Sequence, residues 1–151
     1  MRALGVDLGA RRIGVALSDS AGTLATPYDT VERCGDVARD HQRLLRLADE
    51  AEVECIVVGL PLSLDGTVGP AAQGVLDEVE ELRRATSLPV ETYDERFTTV
   101  TADRLLREGG RRGKARRKVV DQTAAAVLLQ AWLDGRASDR PPDDRPTAAG
   151  P

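Results

Sequence analysis

Acidic residues stand at three places in the chain where chemistry could use them. Asp7 interrupts the apolar run in "ALGVDLGARRIGVALSD", Asp94 and Glu95 close the run in "VETYDERFTT", and Asp121 lies in "KVVDQTAAAVLLQ". A buried strand has no structural need for an acid, so Asp7 either serves the turn at Gly9 or is held there for chemistry. Taken singly, Asp94 and Glu95 read as an exposed strand end, and Asp121 as a favourable acid near a helix N-terminus. Brought together, converging carboxylates repel one another, and their pKa values rise unless something pairs them. A hard divalent cation is the natural partner. Mg²⁺ takes oxygen ligands and keeps several waters, so one or two carboxylates plus a substrate phosphate suffice. Two such ions about 3.5–4 Å apart can stabilise the attacking and leaving oxygens of an in-line phosphoryl displacement. The pattern points to metal-dependent phosphodiester cleavage.

Composition narrows the alternatives. His41 is the only histidine. That excludes a multi-His metal site, and a Ser-His-Asp triad would have to be built around this one residue. His41 sits in "DVARDHQRLLRLADEAE", which reads as an amphipathic helix with its apolar stripe at Val37, Leu44, Leu45, Leu47 and Ala48 and with His41 exposed. Cys34 and Cys55 have no CxxC spacing and read as packing residues. Hydrophobic residues make up 41% of the 151 residues and aromatics only 3%, so the core must be Leu, Val, Ile and Ala. No apolar run approaches the roughly 20 residues of a membrane span. The N-terminal "MRALGVD" lacks the features of a signal peptide. A cytoplasmic protein without a membrane partner is expected.

Charge is unevenly spread. Arg104 to Lys118, "RLLREGGRRGKARRK", holds eight basic residues and one acid in a chain of net charge −4. This +7 segment reads as a basic rim for a polyanion beside an acidic site. Few aromatics accompany it, so backbone recognition is favoured over base readout. Its alternative is a solvated cationic loop.

These groups need a frame. Ala3–Leu8 and Ile13–Ser18 read as a hairpin closed by "GARR", and Thr23–Val31, interrupted by Pro27, reads as an edge strand. A helix follows over about Asp36–Glu52, then a central parallel strand, "CIVVG", Cys55–Gly59. Pro70 opens a second helix that ends near Thr86. Pro89–Tyr93 forms the fifth strand, and Thr98 or Thr99 caps a third helix reaching about Glu108. The last helix spans Lys118–Asp134 with an apolar face at Val120, Ala124, Val127, Leu128 and Ala131, and Trp132 reads as core. The α/β order predicts a mixed five-stranded sheet, with an N-terminal antiparallel meander and helices on both faces. Strands one and five would end at one edge, where such sheets place their sites. The predicted domain is 1–135, and Arg136–Pro151, rich in Pro, Asp and Arg, is expected to be disordered.

Four segments carry a resemblance: "GVDLGARRIGVALSD", "IVVGLPLSLDGTVGPAA", "PVETYDERFTT" and "KVVDQTAAAVLLQAWLD". In this order, and over most of residues 3–134, they resemble the YqgF (RuvX) family of resolvases and pre-16S rRNA nucleases. The resemblance implies a ribonuclease H-like fold. It implies a Mg²⁺-dependent nuclease, with Mn²⁺ as a substitute ion, whose catalytic and metal-binding acids are Asp7, Glu95 and Asp121; Asp94 is a neighbour of unassigned role. Water would attack phosphorus and leave a 5′-phosphate and a 3′-hydroxyl. Arg96 suits a phosphate contact or an ion pair with a site acid. Arg11 and Arg12, with Arg111, Arg112, Lys114, Arg116, Arg117 and Lys118 of the basic segment, are the expected nucleic-acid contacts. Many members have Lys in place of Arg11, and Leu in place of Phe97, the latter read as a packing change. The "LPLSLDGTVG" loop reads as near the substrate, with Ser63, Asp65 and Thr67 as lining candidates.

The implied substrate is structured RNA, with trimming of the 5′ end of pre-16S rRNA and ribosomal particles as partners. The alternative is branched DNA, cut by a Holliday junction resolvase acting as a dimer; monomer and homodimer both remain open. Two other classes fit parts of the pattern. "DLGARRIGVALSD" also resembles the first phosphate hairpin of the actin, heat-shock-protein and sugar-kinase superfamily, but the chain has room for one such domain and carries no second Gly-rich hairpin. A non-catalytic RNA-binding or ribosome-assembly factor would keep the same acids for structure.

Overall fold

The computed structural model describes residues 1–98 and 123–139. Five strands form one sheet: β1 (Ala3–Leu8), β2 (Arg12–Ser18), β3 (Ala25–Glu32), β4 (Cys55–Leu60) and β5 (Val90–Asp94). Around it lie α1 (Val37–Glu50), α2 (Pro70–Ala85) and α3 (Ala124–Asp139). A 3₁₀ turn, Glu95–Phe97, follows β5 directly. The strand order is β3-β2-β1-β4-β5. β1, β2 and β3 pair antiparallel, whereas β1–β4 and β4–β5 are parallel. The expected mixed sheet and meander are therefore present. Because β1, β4 and β5 run in one direction, their carboxyl ends share an edge.

The period-two alternation of each strand sends its residues to two different layers. Leu4 and Val6 of β1 and Ile56 and Val58 of β4 join Leu44 and Ala48 of α1 and Val75, Val79 and Leu82 of α2. Ala3, Ala16, Ala25, Cys55 and Val57 face Ala125, Leu129, Trp132 and Leu133 of α3. The α3 side of the sheet is built from small residues. A Cβ on Gly5 would lie 2.7 Å from Leu129 Cβ and 3.0 Å from the Ala125 carbonyl oxygen. The missing side chain lets the helix backbone settle onto β1.

Several expectations are corrected. His41 is buried, and it shares its helix face with the equally buried Asp40. Val37, placed on the apolar stripe, is exposed, while Leu44 and Ala48 are buried. The polar half of this face has its partners across the layer. The Arg33 guanidinium grips Glu78 through two bonds of 2.8 and 2.9 Å. His41 Nε2 lies 2.9 Å from the same carboxylate. Helical periodicity ranked these residues by hydropathy, and their burial follows instead from pairing. Cys34 is exposed, with its thiol near the Asp36 carbonyl; Cys55 is buried as expected, and both are free.

β3 starts at Ala25 rather than Thr23 and lies at the sheet edge, as Pro27 suggested. The β2–β3 register shifts between Val15 and Ala16, so Val15 faces Asp29 while Ala16 faces Pro27. The α3 helix runs to Asp139, five residues past its expected end, so Arg136–Asp139 of the expected tail are helical. Residues 140–151 lie outside the described residues. From Ala125 to Leu133 α3 is buried at every position but Val127, and Ala124 is exposed rather than part of an apolar stripe. A helix apolar all round is an interior helix, and a stripe was the wrong template. Trp132 is core, with the Arg136 guanidinium 4.7 Å from its ring centroid. Gln130, buried, accepts from Ala25 N–H at 2.9 Å and donates to the Thr23 carbonyl at 3.0 Å, pinning α3 to β3.

Gly5→Ala should destabilise the fold by about 1–3 kcal/mol, the range for overpacking a closed interior. Urea denaturation checks this, and unchanged stability would mean that α3 does not rest on β1 through this contact.

Candidate active site

Asp7 belongs to the α3-facing set of β1, two residues beyond Gly5. The turn after it is closed by backbone bonds: Gly9 N–H donates to the carbonyls of Asp7 and Arg12, both at 3.1 Å. A Cβ on Gly9 would meet the Arg12 carbonyl oxygen at 2.5 Å, so the turn requires glycine. These bonds use the Asp7 peptide and leave its carboxylate to the cleft. The carboxylate is half-buried, and burial pushes its pKa above 3.8.

Glu95 arrives from the far side of β4. It opens the 3₁₀ turn after β5, and Thr98 Oγ1 holds that turn by donating to the Glu95 carbonyl at 2.7 Å. Gly59 makes the space between them. On β4 it follows Val58, the partner of Val6, as Asp7 follows Val6 on β1. A Cβ on Gly59 would lie 2.5 Å from Glu95 Oε1 and 3.1 Å from Leu128 Cδ2. The Glu95 carboxyl thus lies across a bare stretch of β4 backbone. Its pKa is raised above 4.5, first by burial, then by the negative charges of Asp7 and Asp94. Asp7 and Glu95, with Thr98, Ala124, Val127 and Leu128, line one cavity of about 440 Å³. Thr123 caps α3 beside it, its hydroxyl accepting from Ala126 N–H at 3.2 Å.

Asp94 has a different task. Its carboxylate caps the 3₁₀ turn by accepting from Arg96 N–H at 3.0 Å. It also accepts from Arg96 Nε at 2.9 Å and Nη2 at 2.6 Å. These bonds, and the Arg96 charge, hold its pKa below 3.8. Arg96 Nη1 reaches on to the Leu64 carbonyl at 3.3 Å, and its guanidinium lies beside Gly66, whose φ is +86°. Arg96 thus forms its ion pair with Asp94, the acid of unassigned role.

The "LPLSLDGTVG" loop is a self-bonded turn. Asp65 accepts from Thr67 N–H and hydroxyl, and Ser63 N–H donates to the Thr67 carbonyl. Ser63, Asp65 and Thr67 are not among the residues lining the Asp7–Glu95 cavity. Arg11 and Arg12 are exposed after the Gly9 turn, and Arg12 pairs with Glu32 at 3.9 Å. Phe97, expected as packing, is 58% exposed, with its ring edge-on to Tyr93 at 6.1 Å. Asp121, the basic segment with Arg111, Arg112, Lys114, Arg116, Arg117 and Lys118, and the helix expected from Thr98 or Thr99 to about Glu108 lie outside the described residues, apart from Thr98. Sequence reasoning missed Gly59 and Thr98; a glycine closing a β-rich run signals a close approach, and that signal was available.

A family model described as "RuvX: Holliday junction resolvase" matches residues 1–135. Among curated relatives, a protein of Mycobacterium sp. (strain KMS) named "Putative pre-16S rRNA nuclease" is 48% identical over 136 residues, covering 89% of this chain and 80% of the relative. Relatives of the same name from Mycobacterium leprae (strain Br4923) and Thermoanaerobacter pseudethanolicus are 49% and 43% identical. They cover 97% and 90% of this chain and 80% and 98% of their own lengths. Among solved structures, T. thermophilus RuvC in complex with a Holliday junction substrate superposes with a TM-score of 0.57. At 16% identity, it covers 91% of this chain and 96% of RuvC. That likeness shows the ribonuclease H-like fold.

With pKa values above their unfolded ones, the two carboxyls cost stability as pH rises from about 4 through those raised values. In metal-free protein, Asp7→Asn and Glu95→Gln should therefore raise Tm at pH 7 and leave it unchanged near pH 3. Thermal unfolding at both pH values measures this, and a lower Tm at pH 7 would show that these acids support the fold.

Proposed function

The chain belongs to the RuvX family, whose members carry nuclease names, and from that premise we propose that it is a divalent-metal-dependent nuclease with Asp7, Glu95 and Asp121 as its acids. The observation that carries the metal reading is the pairing of two half-buried carboxyls on one open cleft, each with a raised pKa and Asp7 pushing up Glu95. Oxygen donors of this kind suit Mg²⁺ or Mn²⁺, and a cation there would relieve the repulsion. When bound, it supplies positive charge against the charge that develops on the phosphoryl group.

The chain's own residues do the rest. Asp7 presents its carboxylate from a strand that cannot move without disturbing both neighbours. Glu95 presents its own across Gly59, with Thr98 fixing the turn. Asp121, two residues before Thr123 in the sequence, is the third acid of the proposal. Arg11, Arg12 and the basic segment 111–118 would hold the polyanion, while Arg96 acts through Asp94 and the 64–66 loop.

For substrate we favour the 5′ end of pre-16S rRNA, with a cytoplasmic location and ribosomal particles as partners. Support comes from the names of relatives 43–49% identical over most of this chain. The family description favours a second reading, resolution of a four-way DNA junction by a dimer.

A 5′-extended 16S precursor RNA and a four-way DNA junction, each offered with Mg²⁺ or Mn²⁺, separate the two. Asp7-dependent cleavage of the RNA is expected, and paired symmetric nicks in the junction would move the assignment to recombination. Asp7→Asn should lower the rate by about 10²-fold or more, the scale for removing one preorganised electrostatic group. A variant as fast as wild type overturns the acid-site reading.

A further inference from the structure

On the face of the sheet away from the cleft, Arg33 occupies a position that the proposed chemistry does not use. Its side chain is largely buried, at 15% exposed, and it points back under the β1–β2 turn. Arg33 Nε donates to the Gly9 carbonyl at 3.0 Å, and Arg33 N–H donates to the Arg11 carbonyl at 2.9 Å. Both acceptors lie in the four residues between Leu8 and Ile13. The guanidinium itself is fixed from the other side. Glu78 of α2 takes Nη1 and Nη2, Asp40 of α1 lies 3.7 Å from Nη1, and His41 Nε2 braces Glu78 at 2.9 Å.

We propose that Arg33 is a positioning residue for the site: it clamps the turn joining Asp7 to Arg11 and Arg12, and α1 and α2 hold the clamp. The argument is geometric. The turn has one internal tie, the shared Gly9 N–H, and two exposed arginines that must stay open to a polyanion. Nothing within the turn fixes the Gly9 or Arg11 carbonyl; the main-chain N–H of residue 33 takes the second as any residue there would, and the Arg33 side chain takes the first. A planar guanidinium can serve Gly9 through Nε and Glu78 through its two Nη atoms at once. A lysine ammonium keeps the charge but lacks that fork. The network therefore joins the two helices behind the sheet to the catalytic edge in front of it. The functional consequence rests on the nuclease reading above; the clamp itself does not.

Arg33→Lys is compared with His41→Leu in the full chain. The second variant removes the brace from Glu78 while leaving the Arg33–Gly9 bond in place. In Arg33→Lys the turn loses the bond to its Gly9 carbonyl and opens more readily, so exchange of the Gly9 N–H, which is protected by the Asp7 and Arg12 carbonyls, should quicken about tenfold, the scale of one lost hydrogen bond to a charged group. The kcat on cleaved nucleic acid should fall about tenfold while Arg11→Ala raises KM instead. His41→Leu should lower Tm with both readouts near wild type. Unchanged exchange at Gly9 in Arg33→Lys overturns the clamp. So does His41→Leu matching Arg33→Lys in exchange and kcat at equal loss of Tm, which would make the network structural only. If wild-type protein cuts neither substrate, the nuclease reading fails, and the exchange comparison still decides whether Arg33 holds the turn.

Discussion

The absence of side-chain volume on one face of the sheet is the constraint on which the site depends. Gly5 lets the Leu129 and Ala125 turn of α3 lie against β1, and Gly59 lets the Glu95 carboxyl lie against β4. Elsewhere in this layer the strands present Ala3, Ala16, Ala25, Cys55 and Val57, and Tyr93 of β5 packs at its border. A close-packed interior cannot absorb even one extra methyl at such contacts without moving a backbone. The cleft is therefore the gap left where the small-residue face ends and the two acids begin.

The two faces of the sheet solve opposite electrostatic problems. Behind it, burial works against the charge of Glu78, but hydrogen bonds from His41 and Arg33, and the Arg33 charge, outweigh it and hold its pKa at about 2. In front, burial of Glu95 meets no such compensation among the described residues, and Asp7 and Asp94 add repulsion, so its pKa rises. One residue type thus moves in opposite directions in one small domain. Partners, more than depth, decide the sign. Asp94 and Glu95 repeat the contrast between neighbours: Asp94 is neutralised by Arg96, whereas Glu95 is left for the cleft.

Much of this was legible in the chain. Pro27 marked an edge strand, the uninterrupted "CIVVG" run marked a central parallel strand, and the acid in the middle of an apolar run marked Asp7, because each is a local anomaly with a local physical cause. The errors have a common origin. Helical periodicity puts His41 on the surface and Val37 inside because it measures hydropathy along one element. The partners that bury His41 and Asp40 come from Arg33 and from α2, distant in sequence. Val127 and Ala124 were assigned to a stripe because the template assumed one buried face, whereas α3 is enclosed almost all round.

The sequence by itself determined the strand and helix order of the described residues, the acids at the ends of β1 and β5, and membership of a family through motifs spread along the chain. These are properties of local composition and spacing. Only the tertiary structure decided that Asp7 and Glu95 share a cleft, that Gly59 separates them, that Arg96 belongs to Asp94, and that Arg33 reaches the β1–β2 turn from behind. Each of those depends on distances between residues far apart in the chain, set by strand register and helix seating, which no local pattern encodes.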